Sequence, residues 1–393
     1  MTIDYRQLYP KIRQLCDQVE QGAIHQRGRC QKAIETLERY QTDIEYLQQC
    51  VEKALVQEGK TLRCAKPLDD PLQVTYPLPG LENRFNLAAS DGSQILPDRH
   101  AELFFGLINV GGLSLSPNAA ASPTEYSQSE FWYSSDNEDF NEAVFNFRRD
   151  VMERKLLLEI SLRLEPPVLA LTDGPLELWM EYRFPNEERV ELKRLLQCYL
   201  STLETFQERG ISLCGYVDRP ESSYVVRLLE LATAMSEGRG DLRRFRPFKG
   251  VMDGDLFGAL LRPGERSALF ALQSPLLEHL PPESAVCFFY LRVSSEIDSS
   301  LARVEIPLWL AREKPLVDQV HAAIIAQCRQ SGAYAYPYLL HRAHEIAVVH
   351  PQDRETIIRS LLIELQRRGY PPAQLSHKQA LKNLPLRKIS HLE

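Results

Sequence analysis

Three short apolar runs, each followed closely by an aspartate, constrain the fold of this chain more than any other feature. They are residues 85–89 before Asp91, residues 168–172 before Asp173 and residues 211–217 before Asp218. Runs of this length and apolarity are typical of buried strands. Helical patterns lie between the later runs and after them, so we predict an α/β domain in which helices flank a mixed sheet.

The remaining patterns divide the chain into four predicted regions. These are a helical arm (1–60), a linker (61–84), the α/β domain (85–350) and a C-terminal helical tail (351–393). Prolines predict an irregular linker, and residues 113–142, rich in Ser, Asn, Asp and Glu, are expected to be a surface insertion. The chain has no GxGxxG motif and no Walker phosphate loop, which disfavours dinucleotide-binding and P-loop proteins.

The predicted arm contains a stripe of apolar residues at coiled-coil spacing. Leu37, Ile44 and Val51 are seven residues apart, and an earlier stripe is separated from them around residues 22–28. This pattern predicts a helical hairpin. Such stripes mostly pack against the rest of the protein. A single small hairpin would leave this stripe partly exposed, so we also predict a homodimer.

Charge and composition limit the compartments and partners of the chain. Hydrophobic residues make up 44% and charged residues 25% of the chain, which is ordinary for a globular protein. Because the formal net charge is −7, any surface that binds nucleic acid has to be local. Eight scattered cysteines form no CxxC pair, which argues against a zinc ribbon or a disulfide scaffold. The N-terminus lacks a signal-peptide core, and no run approaches the ~18 apolar residues of a membrane helix. We therefore predict a cytoplasmic protein that does not bind membranes.

The strand-ending aspartates are the first candidate functional residues. Functional side chains gather at the strand ends of an α/β sheet, although Asp-Gly is also ordinary turn chemistry. Carboxylates brought together repel one another unless a cation lies between them. Magnesium or manganese prefers such oxygen-rich sites, and two ions can support phosphodiester hydrolysis. The pattern therefore suggests metal-dependent phosphoryl chemistry.

A further carboxylate could come from the predicted helix before the second of these strands. Glu153 shares its face with apolar residues at offsets of 3, 4, 7 and 11, so it points inward, where an unpaired carboxylate would be costly. It is either a ligand or the partner of Arg149. Glu159 shares its face with Lys155 and Arg163, and is expected in a solvated salt bridge.

Polar aromatic residues and histidines concentrate near the C-terminus. Tyr336 and His344 are eight residues apart, across Pro337, which is expected to start a helix. Eight residues is about two helical turns, so the two side chains can share a face. Either one could contact a phosphate or complete a metal shell. A lone histidine is more often a satisfied surface or core residue, and His341 lies close enough to pair with His344.

Several of these motifs resemble, in the same order, those of a known family. The segments are ASDGSQ, LTDGPL, GYVDRPESSYVVRLL and YAYPYLLHRAHEIA, and they are similar to motifs of the NurA nucleases over about residues 85–350. The resemblance implies an RNase H-like core and a DNA nuclease that uses Mn²⁺ or Mg²⁺. It implies 5′-to-3′ exonuclease and single-strand endonuclease activity in DNA end resection and repair. It also implies a dimer that works with a HerA-type hexameric ATPase.

The resemblance also assigns site residues one by one. Asp91 and Asp173 match the two catalytic aspartates of the family, and Glu153 matches the glutamate between them better than Glu159 does. Tyr336 and His344 match the C-terminal pair. The implied metal ligands are the three carboxylates Asp91, Glu153 and Asp173, together with His344.

Contacts to DNA are less sharply indicated by the sequence. A lysine that is common in the family after the third strand is absent, and Arg219 is expected to take its phosphate-contacting role. Asp218 is then an additional ligand or a turn residue. Arg149, one of a group of basic residues near Glu153, is a second expected DNA contact. The aromatic segment 130–135 could stack on unpaired bases or pack within the protein.

Two other functions fit some of these residues. A non-catalytic module that binds DNA ends or a translocase could keep the same fold, but it would not need both aspartates and the C-terminal pair. A phosphotransferase of the actin-like kind also places Asp-Gly turns on phosphates. The absence of a second internal copy of the domain disfavours it.

Overall fold

A computed structural model describes residues 5–80, 85–98, 104–117, 122–133, 140–177, 186–275, 280–294, 301–332 and 335–369. The helices are α1 (Tyr5–Arg39), α2 (Ile44–Glu58), α3 (Glu142–Ser161), α4 (Asn186–Glu208), α5 (Tyr224–Ser236), α6 (Asp253–Leu260), α7 (Leu308–Ala311), α8 (Lys314–Gln330), α9 (Tyr338–Ala347) and α10 (Pro351–Arg367). None of the helices in these ranges is long and apolar enough to cross a membrane.

The strands are β1 (Cys64–Pro67), β2 (Thr75–Tyr76), β3 (Asn86–Ile95), β4 (Phe105–Leu115), β5 (Thr124–Tyr133), β6 (Val168–Asp173), β7 (Ser212–Asp218), β8 (Arg266–Ser267), β9 (Phe270–Gln273), β10 (Val286–Arg292) and β11 (Leu301–Pro307). They form one sheet in the order β1-β9-β10-β11-β7-β6-β3-β4-β5, with β2 and β8 attached beside β10.

One half of the sheet has the RNase H-like strand order. β3, β4 and β5 form an antiparallel meander, while β6 and β7 run parallel to β3 on its other side. The predicted fold class, a mixed sheet flanked by helices, is therefore confirmed. β11 continues the sheet antiparallel to β7.

Helices cover both faces of the central strands. In β6, Val168 and Ala170 belong to one core cluster, while Leu169 and Leu171 belong to the other. A strand buried on both faces reads as a continuous apolar run, which explains the sequence signal. We call the two sides the α3 face and the α9 face. The missing Cβ of Gly112 points at Ile160 of α3, whereas that of Gly111 points at Ala347 of α9.

The N-terminal helices differ from the predicted hairpin. α1 runs without interruption through residues 22–28, and the chain turns instead at residues 40–43. Two glycines cost a helix only about 1 kcal/mol each, which does not break a helix of 35 residues. Leu37 and Val51 are buried in the main core, so this stripe packs inside the chain.

The first half of α1 exposes a stripe of apolar residues. Their exposed fractions are 63% for Tyr5, 36% for Leu8, 46% for Ile12, 57% for Leu15 and 62% for Val19. Their spacing of three and four residues places them on one side of the helix. The exposed stripe is therefore this one, and not the stripe of Leu37, Ile44 and Val51 from which the homodimer was predicted; the homodimer stays a prediction.

Two segments expected to be irregular contain strands of the sheet. Residues 61–80 include β1, which pairs with β9, and residues 113–142 include β5, which pairs with β4 over ten residues. β5 lies at the sheet edge and is exposed on both faces along most of its length. Its polar composition therefore resembles a loop. Of the predicted tail, α10 is described, and residues 370–393 lie outside the described ranges.

Candidate active site

The carboxyl end of β6 opens a cleft beside β3. β3 pairs with β6 only from Asn86 to Ser90, whereas it pairs with β4 as far as Ile95. Beyond Ser90 no described strand covers the β6 side of β3. β6 ends at Asp173, and Gly174 turns the chain away with a φ of +79°. Parallel strands place their carboxyl ends together, so Asp91 and Asp173 lie at the same cleft.

Strand alternation sends neighbouring side chains to opposite faces. Ser90 and Thr172 point to the α3 face. There the Ser90 hydroxyl donates to the backbone carbonyl of Glu153 at 3.0 Å, and the Thr172 hydroxyl donates to Oε1 of Glu153 at 2.7 Å. Asp91 and Asp173, one residue further along each strand, point to the α9 face. The sheet therefore presents two carboxylates on one face and holds Glu153 against the other.

α9 and the segment before it complete the α9 face of the cleft. Nδ1 of His344 lies 2.6 Å from Oδ2 of Asp91, and the Tyr336 hydroxyl donates a hydrogen bond to Asp173. The ring of Tyr336 packs edge-on against Tyr216 of β7, with centroids 5.4 Å apart. The structure thus brings together both aspartates and both members of the C-terminal pair.

Asn109 and Gly111 hold α9 on the sheet, and the sequence reasoning missed both. Asn109 Nδ2 donates to the Ala347 carbonyl at 2.7 Å, and its Oδ1 accepts from Ser129 at 2.7 Å. A Cβ at Gly111 would lie 2.4 Å from the Ala347 backbone nitrogen, so only glycine permits this approach. The available signal was a polar residue and a glycine pair inside an otherwise apolar strand.

Glu153 reaches the cleft from α3 on the opposite face. It is 4% exposed, and its Oε1 accepts from the Arg154 guanidinium as well as from Thr172. The expected alternative, a pair with Arg149, does not form, because Arg149 donates to Asp150 at 2.8 Å. Glu159 is exposed further along α3. Of the two candidate glutamates, only Glu153 lies at the cleft.

The electrostatics of the site reflect burial and crowded carboxylates. Burial raises the pKa of Glu153 to about 7, Arg154 and Thr172 lower it, and Asp91 raises it. Surrounding protein also raises the pKa of Asp173, although that residue retains solvent exposure. The Tyr336 hydrogen bond opposes this rise and Asp91 adds to it. Burial, and then Asp173, raise the pKa of Tyr336, which therefore remains a protonated donor.

The donor set suits an oxygen-preferring divalent cation. Asp91 raises the pKa of both Glu153 and Asp173, and carboxylates crowded in this way gain from a cation between them. Within the described part of the chain, however, no group of three or more His, Cys, Asp or Glu side chains is arranged to hold an ion as it stands. Each carboxylate is engaged instead, Asp91 by His344, Asp173 by Tyr336 and Glu153 by Arg154. For all three to coordinate one ion, these contacts have to rearrange.

The other predicted residues lie around this cleft. The side chain of Arg149 packs over Gly92, where a Cβ would lie 2.9 Å from its Cγ. Asp218 ends β7 and is exposed to solvent. Desolvation by the surrounding protein still raises its pKa, and Arg219 lowers it. Asp218 also contributes to the raised pKa of Tyr336. Arg219 has a φ of +43° and interacts with Asp218.

In the aromatic segment at the end of β5, one side chain packs within the protein and two are exposed. Trp132 packs on the α3 face in an aromatic cluster with Phe104, Phe140 and Phe145. Its neighbours Phe131 and Tyr133 point to the other face and are 55% and 74% exposed. Packing therefore explains Trp132, while Phe131 and Tyr133 remain available to a ligand.

Comparisons with known proteins complete the description of the site. A family model described as NurA domain matches residues 85–349, and no curated protein matches the chain. Among solved structures, Drosophila Piwi matches at 13% identity and a TM-score of 0.29, over 66% of this chain and 29% of its own. The catalytic domain of human endonuclease V matches at 13% identity and a TM-score of 0.32, over 83% of this chain and 99% of its own. Aquifex aeolicus Argonaute matches at 12% identity and a TM-score of 0.26, over 68% of this chain and 28% of its own. The chain thus spans less than a third of the Piwi and Argonaute chains.

Proposed function

The chain belongs to the NurA family, and from this premise we propose that it is a metal-dependent DNA nuclease that hydrolyses phosphodiester bonds at the cleft between β3 and β6. Membership of the family supports a nuclease. The observation that carries the finer proposal is the convergence of Asp91, Glu153 and Asp173, from three different elements, at the open edge of β3. Structural packing alone gives no reason to gather three carboxylates there.

The proposed roles follow from the contacts of each side chain. Asp91, Asp173 and Glu153 hold Mn²⁺ or Mg²⁺, and His344 completes the shell. When bound, such ions supply an activated water and stabilise charge on the leaving oxygen. Tyr336, which stays protonated, donates to Asp173 and fixes its orientation. The ring of His344 is 61% exposed while its Nδ1 meets Asp91, so its Nε2 side faces outward and can reach either the metal ion or the scissile phosphate.

Exposed aromatic residues support a path for an unpaired DNA strand. Asp91 pairs across β4 with Ser127 of β5, and Phe131 lies four residues further along the same face. Strand spacing and rise place Phe131 about 16 Å from Asp91, and Tyr133 somewhat further. Aromatic side chains on a rigid sheet can stack on bases without reading sequence. Arg149 at the cleft and Arg219 beyond β7 are the proposed phosphate contacts.

The family suggests assembly as well as chemistry. We propose a 5′-to-3′ exonuclease with single-strand endonuclease activity that resects DNA ends with a HerA-type hexameric ATPase. A homodimer is proposed through the exposed side of α1, which presents Leu8, Ile12, Leu15 and Val19 at heptad spacing. An exposed apolar stripe of this length is typical of an interface.

A cleavage assay tests the central proposal. Purified protein is incubated with end-labelled single-stranded and duplex DNA in Mn²⁺, in Mg²⁺ and in chelator. We expect cleavage with a divalent ion and none in chelator. The HerA-type ATPase from the same genome should co-purify and increase degradation of duplex DNA. DNA binding with no cleavage under any of these conditions would instead favour the non-catalytic module.

A further inference from the structure

We propose that Arg154 is a positioning residue, which holds one carboxylate oxygen of Glu153 so that the other oxygen is presented to a metal ion in the cleft. The inference deepens the proposed function and rests on it. Arg154 does not touch substrate or ion in this proposal. It acts through Glu153.

Arg154 joins two of the three elements that supply acidic residues to the cleft, α3 and the end of β6. Its guanidinium contacts Oε1 of Glu153 and donates to the Pro175 carbonyl at 3.1 Å. Pro175 lies two residues after Asp173, in the turn that follows β6. One planar side chain with several donors therefore ties α3 to that turn. Together with the Thr172 hydrogen bond, this link holds Glu153 against the end of β6, where Asp173 lies.

All the hydrogen bonds that the Glu153 side chain accepts within the described ranges fall on one oxygen. Thr172 donates to Oε1 at 2.7 Å, as Arg154 does. Among the described residues, no side chain or backbone group donates to Oε2. That oxygen faces Gly92, the residue after Asp91, and a Cβ built there would lie 3.4 Å from it. Two fixed donors on one oxygen orient the carboxylate, and the other oxygen is left for a ligand.

The burial of Arg154 argues against a role in stability alone. Its side chain is 5% exposed, and its Nε is buried without a hydrogen-bond partner. Buried ion pairs often contribute little net stability, because desolvation offsets the Coulombic attraction. A guanidinium with an unsatisfied donor is a poor choice for stability, whereas fixing the ligand carboxylate explains why it is there.

A positioning role and a charge-balancing role predict opposite changes in metal affinity. If Arg154 only neutralises nearby carboxylates, its cation repels a metal ion, and its removal should tighten metal binding. If it positions Glu153, its removal lets the carboxylate rotate, and metal binding should weaken. Loss of an outer-shell partner of a ligand typically weakens metal affinity about 10- to 100-fold.

The experiment measures Mn²⁺ affinity of the full chain without DNA, by electron paramagnetic resonance of free Mn²⁺. Arg154→Met is compared with Arg227→Met, because Arg227 is also buried, pairs with Glu230 at 3.3 Å and donates to the Leu242 carbonyl at 2.9 Å. We expect Arg154→Met to weaken Mn²⁺ binding about 10-fold or more, and Arg227→Met to leave it unchanged. Melting temperatures control for folding. Arg154→Lys should recover only part of the affinity, because one ammonium group cannot span both acceptors.

A second pair of variants covers the case in which Arg154→Met does not fold. Thr172→Val removes the other donor to Oε1 at nearly constant volume and should weaken Mn²⁺ binding, while Thr172→Ser keeps the donor and should bind as wild type does. Unchanged or tighter binding by folded Arg154→Met, or by Thr172→Val, overturns the inference alone. The proposed function fails, and the inference fails with it, if wild type does not bind Mn²⁺ or if Asp91→Asn does not abolish that binding.

Discussion

Adding one methyl group at Gly111 should leave this protein folded but lower its activity. The Cβ of Gly111→Ala would lie 2.4 Å from the Ala347 backbone nitrogen, while ordinary contact begins near 3.4 Å. The difference is 1.0 Å, and a backbone atom cannot rotate away as a side chain can. The C-terminal end of α9 must therefore move out by about 1 Å.

That displacement falls on the part of α9 that carries His344. His344 is three residues before Ala347, and its Nδ1 lies 2.6 Å from Asp91. A shift of about 1 Å in a catalytic group can cost about 10²-fold in rate. Overpacking of this kind costs about 1–3 kcal/mol of stability, which is a fraction of what a domain of this size has. We therefore expect a folded protein that cleaves about 100-fold more slowly.

The measurement is Mn²⁺-dependent cleavage of labelled single-stranded DNA, with a thermal melt of each variant. Gly258→Ala is the matched control, because the Cβ it adds meets nothing within 4 Å, and alanine in a helix is favourable by about 0.5–1 kcal/mol. It should melt at or above the wild-type temperature and cleave at the wild-type rate. Wild-type cleavage by folded Gly111→Ala would refute the claim that the fit of α9 against β4 sets the position of His344.

Four further outcomes are expected. Asp91→Asn should melt at or above the wild-type temperature, because like-charge repulsion falls, and should cleave at least about 10²-fold more slowly. Burial raises the pKa of Glu153 to about 7, so the unfolded chain binds fewer protons than the folded one between the two pKa values. Metal-free stability should then fall as pH rises from about 4.5 to 7. Thermal melts across that range should show a smaller fall for Glu153→Gln, and an equal fall would contradict the assignment. Leu15→Glu should yield monomers in light scattering while Val56→Glu, on the exposed side of α2, should not, and dimeric Leu15→Glu would exclude this side of α1. Phe131→Ala should weaken binding of unpaired DNA by about 1–3 kcal/mol in fluorescence anisotropy without changing Mn²⁺ affinity, and unchanged DNA affinity would remove β5 from the proposed path.

Local patterns of the sequence were sufficient for the parts of the fold that are buried on both faces. The runs before Asp91 and Asp173 predicted buried central strands, because a strand with no polar face appears in the sequence as a continuous apolar run. Helical periodicity pointed Glu153 inward for the same reason. The resemblance to the NurA family, confirmed by the family match, came from motifs that lie on these two strands, on β7 with α5, and on α9 with the segment before it.

Only the tertiary structure decided what depends on neighbours that are distant in sequence. Edge strand β5 was taken for a loop, since exposure on both faces removes the alternation that marks a strand. Glu153 pairs with Arg154 rather than Arg149, because the turn after Asp173 supplies Arg154 with a second acceptor. The closeness of His344 to Asp91 depends on the fit of α9 against Gly111. Sequence spacing can place two residues on one face, but the approach of that face to another is set by packing across the sheet.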